Sequence, residues 1–281
     1  MDFIKEIYRV WMDERPAQLA ASVAFYGLFY LAPVIFIASY IANFFLKDLV
    51  SRSHLLDRIS MIFGHEASAT LSDMINRLSI PSTGGTFFTG LVSTIALLLA
   101  ASNLFVQLQY ALNKIWDAPI PRADNVLVGI TQRLMAFALV IGVGILMVIS
   151  TLANLIISWF GSFLGLSNSL PFVNILPMLV LFTLSFSSLY KILPNVKIRW
   201  RDVWVGGFVS SILVILAGEL IGFYFKSSKI SSAFEAAGAF AIILIGIYYI
   251  AQIFLLGAII TRIYANRYGS KRDQEVAIQL Q

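Results

Sequence analysis

The amino-acid sequence predicts an all-α, polytopic membrane protein with six transmembrane helices, an interfacial N-terminal helix and a small helical extracytoplasmic cap between helices 1 and 2. Three observations carry this expectation. Of 281 residues, 59% are hydrophobic and only 12% charged, against about 45–50% and about 25% in soluble domains. The mean hydropathy is +0.83. Uncharged runs reach from Pro16 to Leu46, from Leu78 to Asn113 and from Leu134 to Tyr190, where a bilayer-crossing helix needs about 20 apolar residues. With half the usual charge the chain cannot cover a globular surface with solvated side chains, so a soluble enzyme is excluded. The absence of cysteine excludes disulfides, thiolate metal sites and thiol nucleophiles.

Each element follows in order along one integral membrane domain, 1–281. Phe3, Ile4, Ile7, Val10 and Trp11 recur at helical spacing among charged residues, so residues 1–15 read as a helix lying in the cytoplasmic interface. The first span, 20–46, is too long for the core of a secretory signal and is expected to stay in the mature protein. Residues 47–86 form the one long connection. Leu55, Ile59, Ile62 and Phe63, then Met74, Ile75 and Leu78, suggest amphipathic helices broken at Gly64. The second span covers 87–110. The 57-residue run from Leu134 to Tyr190 suits two spans, 134–160 and 172–192, joined where glycine, serine and proline cluster near 161–171. Spans 203–225 and 237–261 complete the six, followed by a cytoplasmic tail, 263–281. Continuous rather than alternating apolar runs exclude a transmembrane β-barrel.

Basic residues orient the spans. Counting between predicted crossings, 14 Lys and Arg fall on the side of the termini and 6 on the other. Cytoplasmic connections retain basic residues, so both termini are expected in the cytoplasm. Trp116, Tyr190, Trp200, Trp204, Tyr264 and Tyr268 fall at the predicted cytoplasmic ends, where interfacial aromatics belong.

Few polar groups lie at membrane depth. Glu219 is the one ionisable side chain well inside a span, within the small-xxx-small spacing Gly218 to Gly222 that permits close helix approach. It reads either as a proton or cation site or as a hydrated acid near the outer end. Asn103 and Gln107 share one face of the second span, and Asn154 lies in the third. With Glu219 they form a candidate polar path, although such groups more commonly bond one helix to another. The segment Tyr190 to Asp202 holds Lys191, Lys197, Arg199, Trp200 and Arg201, a candidate site for anionic headgroups; the plainer reading is ordinary topology determination. His54 and His65 sit in the outer connection without metal-ligand spacing, so neither a metal nor a cofactor is expected. No basic domain accompanies the spans, and nucleic acid is not an expected partner.

Several segments together resemble the YihY/BrkB family of bacterial inner-membrane proteins. They are Ser22 to Tyr26 through Pro33, then Leu112-Asn113-Lys114-Ile115-Trp116, then Tyr190 to Asp202 with Pro194 and Asn195 followed by Gly206-Gly207, and last Ala251 to Ala258. The similarity spans nearly the whole chain, and Tyr-Lys-x-Leu-Pro-Asn is its most specific part. The chain departs from the family at Ile259, where members often carry an acid. The resemblance implies six helical spans, which agrees with the count above, and export or translocation of lipid at the bacterial inner membrane. A ribonuclease label once attached to the family finds no carboxylate or histidine constellation here. Membrane lipids are then the expected partners, with a homo-oligomer or a periplasmic lipid-transfer protein as further ones. No Gly-x-x-x-x-Gly-Lys-Ser/Thr loop is present, so the chain is expected to hydrolyse no ATP itself. The alternatives are a proton-coupled cation or small-solute transporter centred on Glu219, and a non-transporting scaffold.

Overall fold

The computed structural model describes residues 3–30, 69, 72–73, 99, 103–119, 141–142, 145, 171–227 and 235–271. Every regular element among the described residues is a helix: α1 (Phe3–Glu14), α2 (described over 16–30), α3 (described over 103–115), α4 (Pro171–Ile192), α5 (Trp200–Ser227) and α6 (Glu235–Arg267). The last three coincide with the spans expected at 172–192, 203–225 and 237–261. At about 1.5 Å per residue, the 33 residues of α6 extend for about 50 Å, beyond the ~30 Å of a hydrocarbon core. Among the described residues, two stretches are long and apolar enough to cross a membrane, Trp200–Leu220 and Ile243–Arg267, with mean hydropathies of 1.9 and 2.4. The third expected span, 134–160, and the cap, 47–86, are described only at a few helical positions (141, 142 and 145; 69, 72 and 73).

The helix expected at the N-terminus is α1. Phe3, Ile7, Val10 and Trp11 pack against the protein core rather than outward, leaving Ile4, Tyr8 and Met12 exposed along the opposite side. The bundle offers α1 a protein surface, and burying aromatic area there competes with burying it in lipid. The helix stops at Arg15, whose φ of 47° is left-handed, a usual helix C-terminal geometry. Pro16 then opens α2, where its fixed φ suits the first turn and its missing N–H is no loss. A second left-handed residue, Asp117 (φ 48°), ends the turn after α3.

The tightest packing joins α4, α5 and α6. A Cβ on Gly206 would run into the carbonyl of Gly257 and the hydroxyl of Thr261; one on Gly257 would meet Ser210 Oγ and Tyr190 Oη. On the other side of α5, a Cβ on Gly207 would come within 3.0 Å of both Ser187 N and Thr183 O. Backbones approach this closely only over glycine. Hydroxyls fill the gaps: Thr183 Oγ1 lies 3.1 Å from Ser211 Oγ, and Tyr190 donates to Phe254 O at 2.7 Å while Ser210 Oγ lies 2.8 Å from its oxygen. The close approach that the Gly218 to Gly222 spacing would permit has no counterpart among the described residues at Gly218, where nothing described lies within 4 Å of a built Cβ. Past the expected sixth span, α6 runs on to Arg267 with Ile263 and Ala265 buried.

Candidate functional site

The α4–α5 connection, 193–199, is held from beneath by α3. Gln109 Nε2 donates to Leu193 O at 3.0 Å, and Asn113 Oδ1 accepts from Asn195 N at 2.7 Å. Asn195 Nδ2 reaches Pro119 O at 3.5 Å. Pro194 and the apolar Leu193 and Ile198 are buried, which turns the backbone polar groups toward these amides. The family-motif residues Asn113, Pro194 and Asn195 therefore work as rivets between α3 and the connection. Gln109, unnoticed in the sequence, belongs with them; its spacing of four residues from Asn113 was the available signal.

Anchored this way, the connection displays its cations. Lys191, Lys197, Ile198, Arg199 and Trp200 line a cavity of about 460 Å³ together with Ser270 from beyond the end of α6. That size falls within the ~300–1,000 Å³ of small-ligand clefts. Four of the five candidate headgroup residues thus line one place; Arg201 does not. Lys191 Nζ donates to Ile198 O and closes the bend. Lys197, Arg199 and Arg201 are exposed and make no ion pair with a described acid. The nearest acid in sequence, Asp202, is 3% exposed and turned inward, where its Oδ2 accepts from Ser270 N at 3.1 Å and Ser270 Oγ at 2.6 Å. Trp200 and Trp204 are exposed at the start of α5.

The other sites expected from sequence do not join this one. Gln107 Nε2 donates to Ser22 Oγ at 2.8 Å, and Ser22 donates on to Leu19 O, so Gln107 bonds α3 to α2. Asn103 is half-buried one turn earlier, while Glu219 is exposed on α5; neither lines the cavity. Asn154, Pro33, His54 and His65 lie outside the described residues. Tyr26 is exposed and stacks on Tyr30 with centroids 6.1 Å apart. Trp116 is buried with Nε1 unpartnered, and Lys271 Nζ sits 5.3 Å from its ring centroid. A further cluster escaped the sequence entirely. Arg262 of α6 donates to Glu14 Oε1 at 3.1 Å, to Asp117 and to the carbonyl of Ile115, gathering the ends of α1 and α3. These partners are 248, 145 and 147 residues away, beyond any local pattern.

Long apolar helices, glycine-mediated contacts between them and a cationic connection at one end define a helical membrane protein. The chain belongs to the family described as virulence factor BrkB, whose pattern it matches over residues 7–278. It is similar to a UPF0761 membrane protein of Janthinobacterium sp. (strain Marseille), 25% identical over 264 residues, covering 89% of this chain and 56% of that protein. It is also similar to UPF0761 membrane proteins of Mannheimia succiniciproducens (24% identical; 92% of this chain, 88% of that one) and Verminephrobacter eiseniae (30%; 61% and 41%). The chain thus spans about half the length of several of its curated relatives. No solved structure matches it.

Proposed function

We propose that this protein translocates lipid across the bacterial inner membrane without an ATPase of its own, crossing the bilayer six times with both termini and the α4–α5 connection in the cytoplasm. The observation that carries the reading is the cavity lined by Lys191, Lys197, Arg199 and Trp200 at the foot of α5, a helix apolar enough to span. Interfacial tryptophans set that foot at headgroup level, and each basic residue near an anionic leaflet contributes about 1 kcal/mol of attraction. Cations there that pair with no described acid would collect anionic headgroups, and the exposed apolar flank of α5 (Phe208, Ile212, Leu216) would accompany the acyl chains. The proton-coupled alternative would centre on Glu219, which is exposed on α5. The test is reconstitution into vesicles holding a fluorescent anionic phospholipid, with leaflet exchange followed by chemical quenching. Exchange faster than in empty vesicles, slowed in the Lys197→Ala/Arg199→Ala variant, is expected; exchange at the empty-vesicle rate overturns the proposal.

A further inference from the structure

We propose that the cavity at the foot of α5 is a phosphate site, and that Ser270 keeps it cationic by holding the carboxylate of Asp202 inside the protein. The inference rests on the lipid reading only for the source of the phosphate. Its chemistry comes from the lining: three cationic residues, Lys191, Lys197 and Arg199, border one space. A planar carboxylate is matched by a single guanidinium fork, whereas a tetrahedral phosphate uses donors converging from several directions. Lys191 spends one proton on Ile198 O and retains two. The cavity also opens beside the N-terminus of a 28-residue helix, whose dipole favours an anion.

The second half of the inference concerns charge. Asp202 lies in the first turn of α5, directly after Arg201 and three residues after Arg199. A carboxylate there would ordinarily pair with one of those guanidiniums and neutralise the site. Instead Asp202 is buried, and its Oδ2 accepts from both the backbone N–H and the hydroxyl of Ser270. A Cβ on Gly269 would collide with the same carboxylate, so the chain after α6 is shaped to fit it. Ser270 thereby has two faces, one on the cavity and one on Asp202. It is a positioning residue, acting on the ligand through the charge it withholds.

The test measures binding of a tail-labelled phosphatidylglycerol to the full chain in neutral detergent by fluorescence anisotropy. Inorganic phosphate and an unlabelled fatty acid serve as competitors, and thermal melting reports folding. Saturable binding is expected, weakened about tenfold or more in the Lys197→Ala/Arg199→Ala variant, as loss of charge-assisted contacts requires. Ser270→Ala should weaken it about threefold to tenfold, and Ser270→Ala/Asp202→Asn should restore it, because the amide cannot neutralise the cations. Failure of that rescue in a double variant that melts like the native chain overturns the role of Ser270. Competition by inorganic phosphate supports a site for the phosphate group from either source; lipid binding that resists it supports the lipid as the source. Displacement by fatty acid as effective as by phospholipid, or no saturable binding, overturns the phosphate site. Binding without leaflet exchange sinks translocation alone, and exchange without binding sinks this site alone.

Discussion

The two ends of α5 carry the same kind of sequence and do opposite things. Near its start, Gly206 and Gly207 lie under the carbonyls and hydroxyls of α6 and α4, and Ser210 and Ser211 are wholly buried. Three turns later no described residue lies within 4 Å of a Cβ built on Gly218, and Leu220 is 70% exposed. A small residue permits close approach without causing it. What draws the helices together at the first end is a set of partners with nowhere else to bond: Tyr190 with Ser210 and Phe254 O, Thr183 with Ser211. At the far end no such pair is present among the described residues. The closely packed end is also the one that presents the cationic cavity, as a site that must hold its geometry requires.

This contrast is open to direct attack. Gly206→Val should destabilise most, by about 3 kcal/mol or more, because its side chain meets backbone rather than a movable tip; thermal unfolding in detergent measures it. Arg262→Met should cost about 1–3 kcal/mol, discounted for the exposure of Asp117. It should also raise hydrogen exchange in α1 selectively, since Glu14 loses its anchor. Unchanged exchange in α1 would show that apolar contacts alone dock that helix. Tyr190→Phe should cost about 1–2 kcal/mol by stripping one donor from a buried trio. Gly218→Ala should have the reverse sign, stabilising by about 0.5–1 kcal/mol through helix propensity with no clash to offset it. Any loss there would mean that another helix packs on this face. Glu219→Gln should change stability by less than about 0.5 kcal/mol and leave lipid exchange intact. Abolished exchange in that variant would revive the proton-coupled mechanism.

Sequence and structure agree where physics is local. The bounds of α4, α5 and α6 were legible within a few residues, because apolar runs bordered by charge and Pro or Gly follow from the cost of burying each residue by itself. The cluster Lys191, Lys197, Arg199 and Trp200 was legible for the same reason, being a contiguous stretch of chain. The orientation of α1 was not. Its apolar residues were visible, but whether they meet lipid or protein depends on what the fold brings opposite them. The polar path suggested by Gln107 was likewise ambiguous until Ser22, 85 residues away, appeared as its partner.

Composition and periodicity by themselves determined that this chain forms long apolar helices suited to a bilayer, because hydrophobicity is a property each residue carries wherever it lies. Only the tertiary structure decided which glycines are contacts, which acid is withdrawn from the cations and which arginine ties three helices together. Those outcomes are pairings across scores of residues, and a pairing has no energy until both partners are in place.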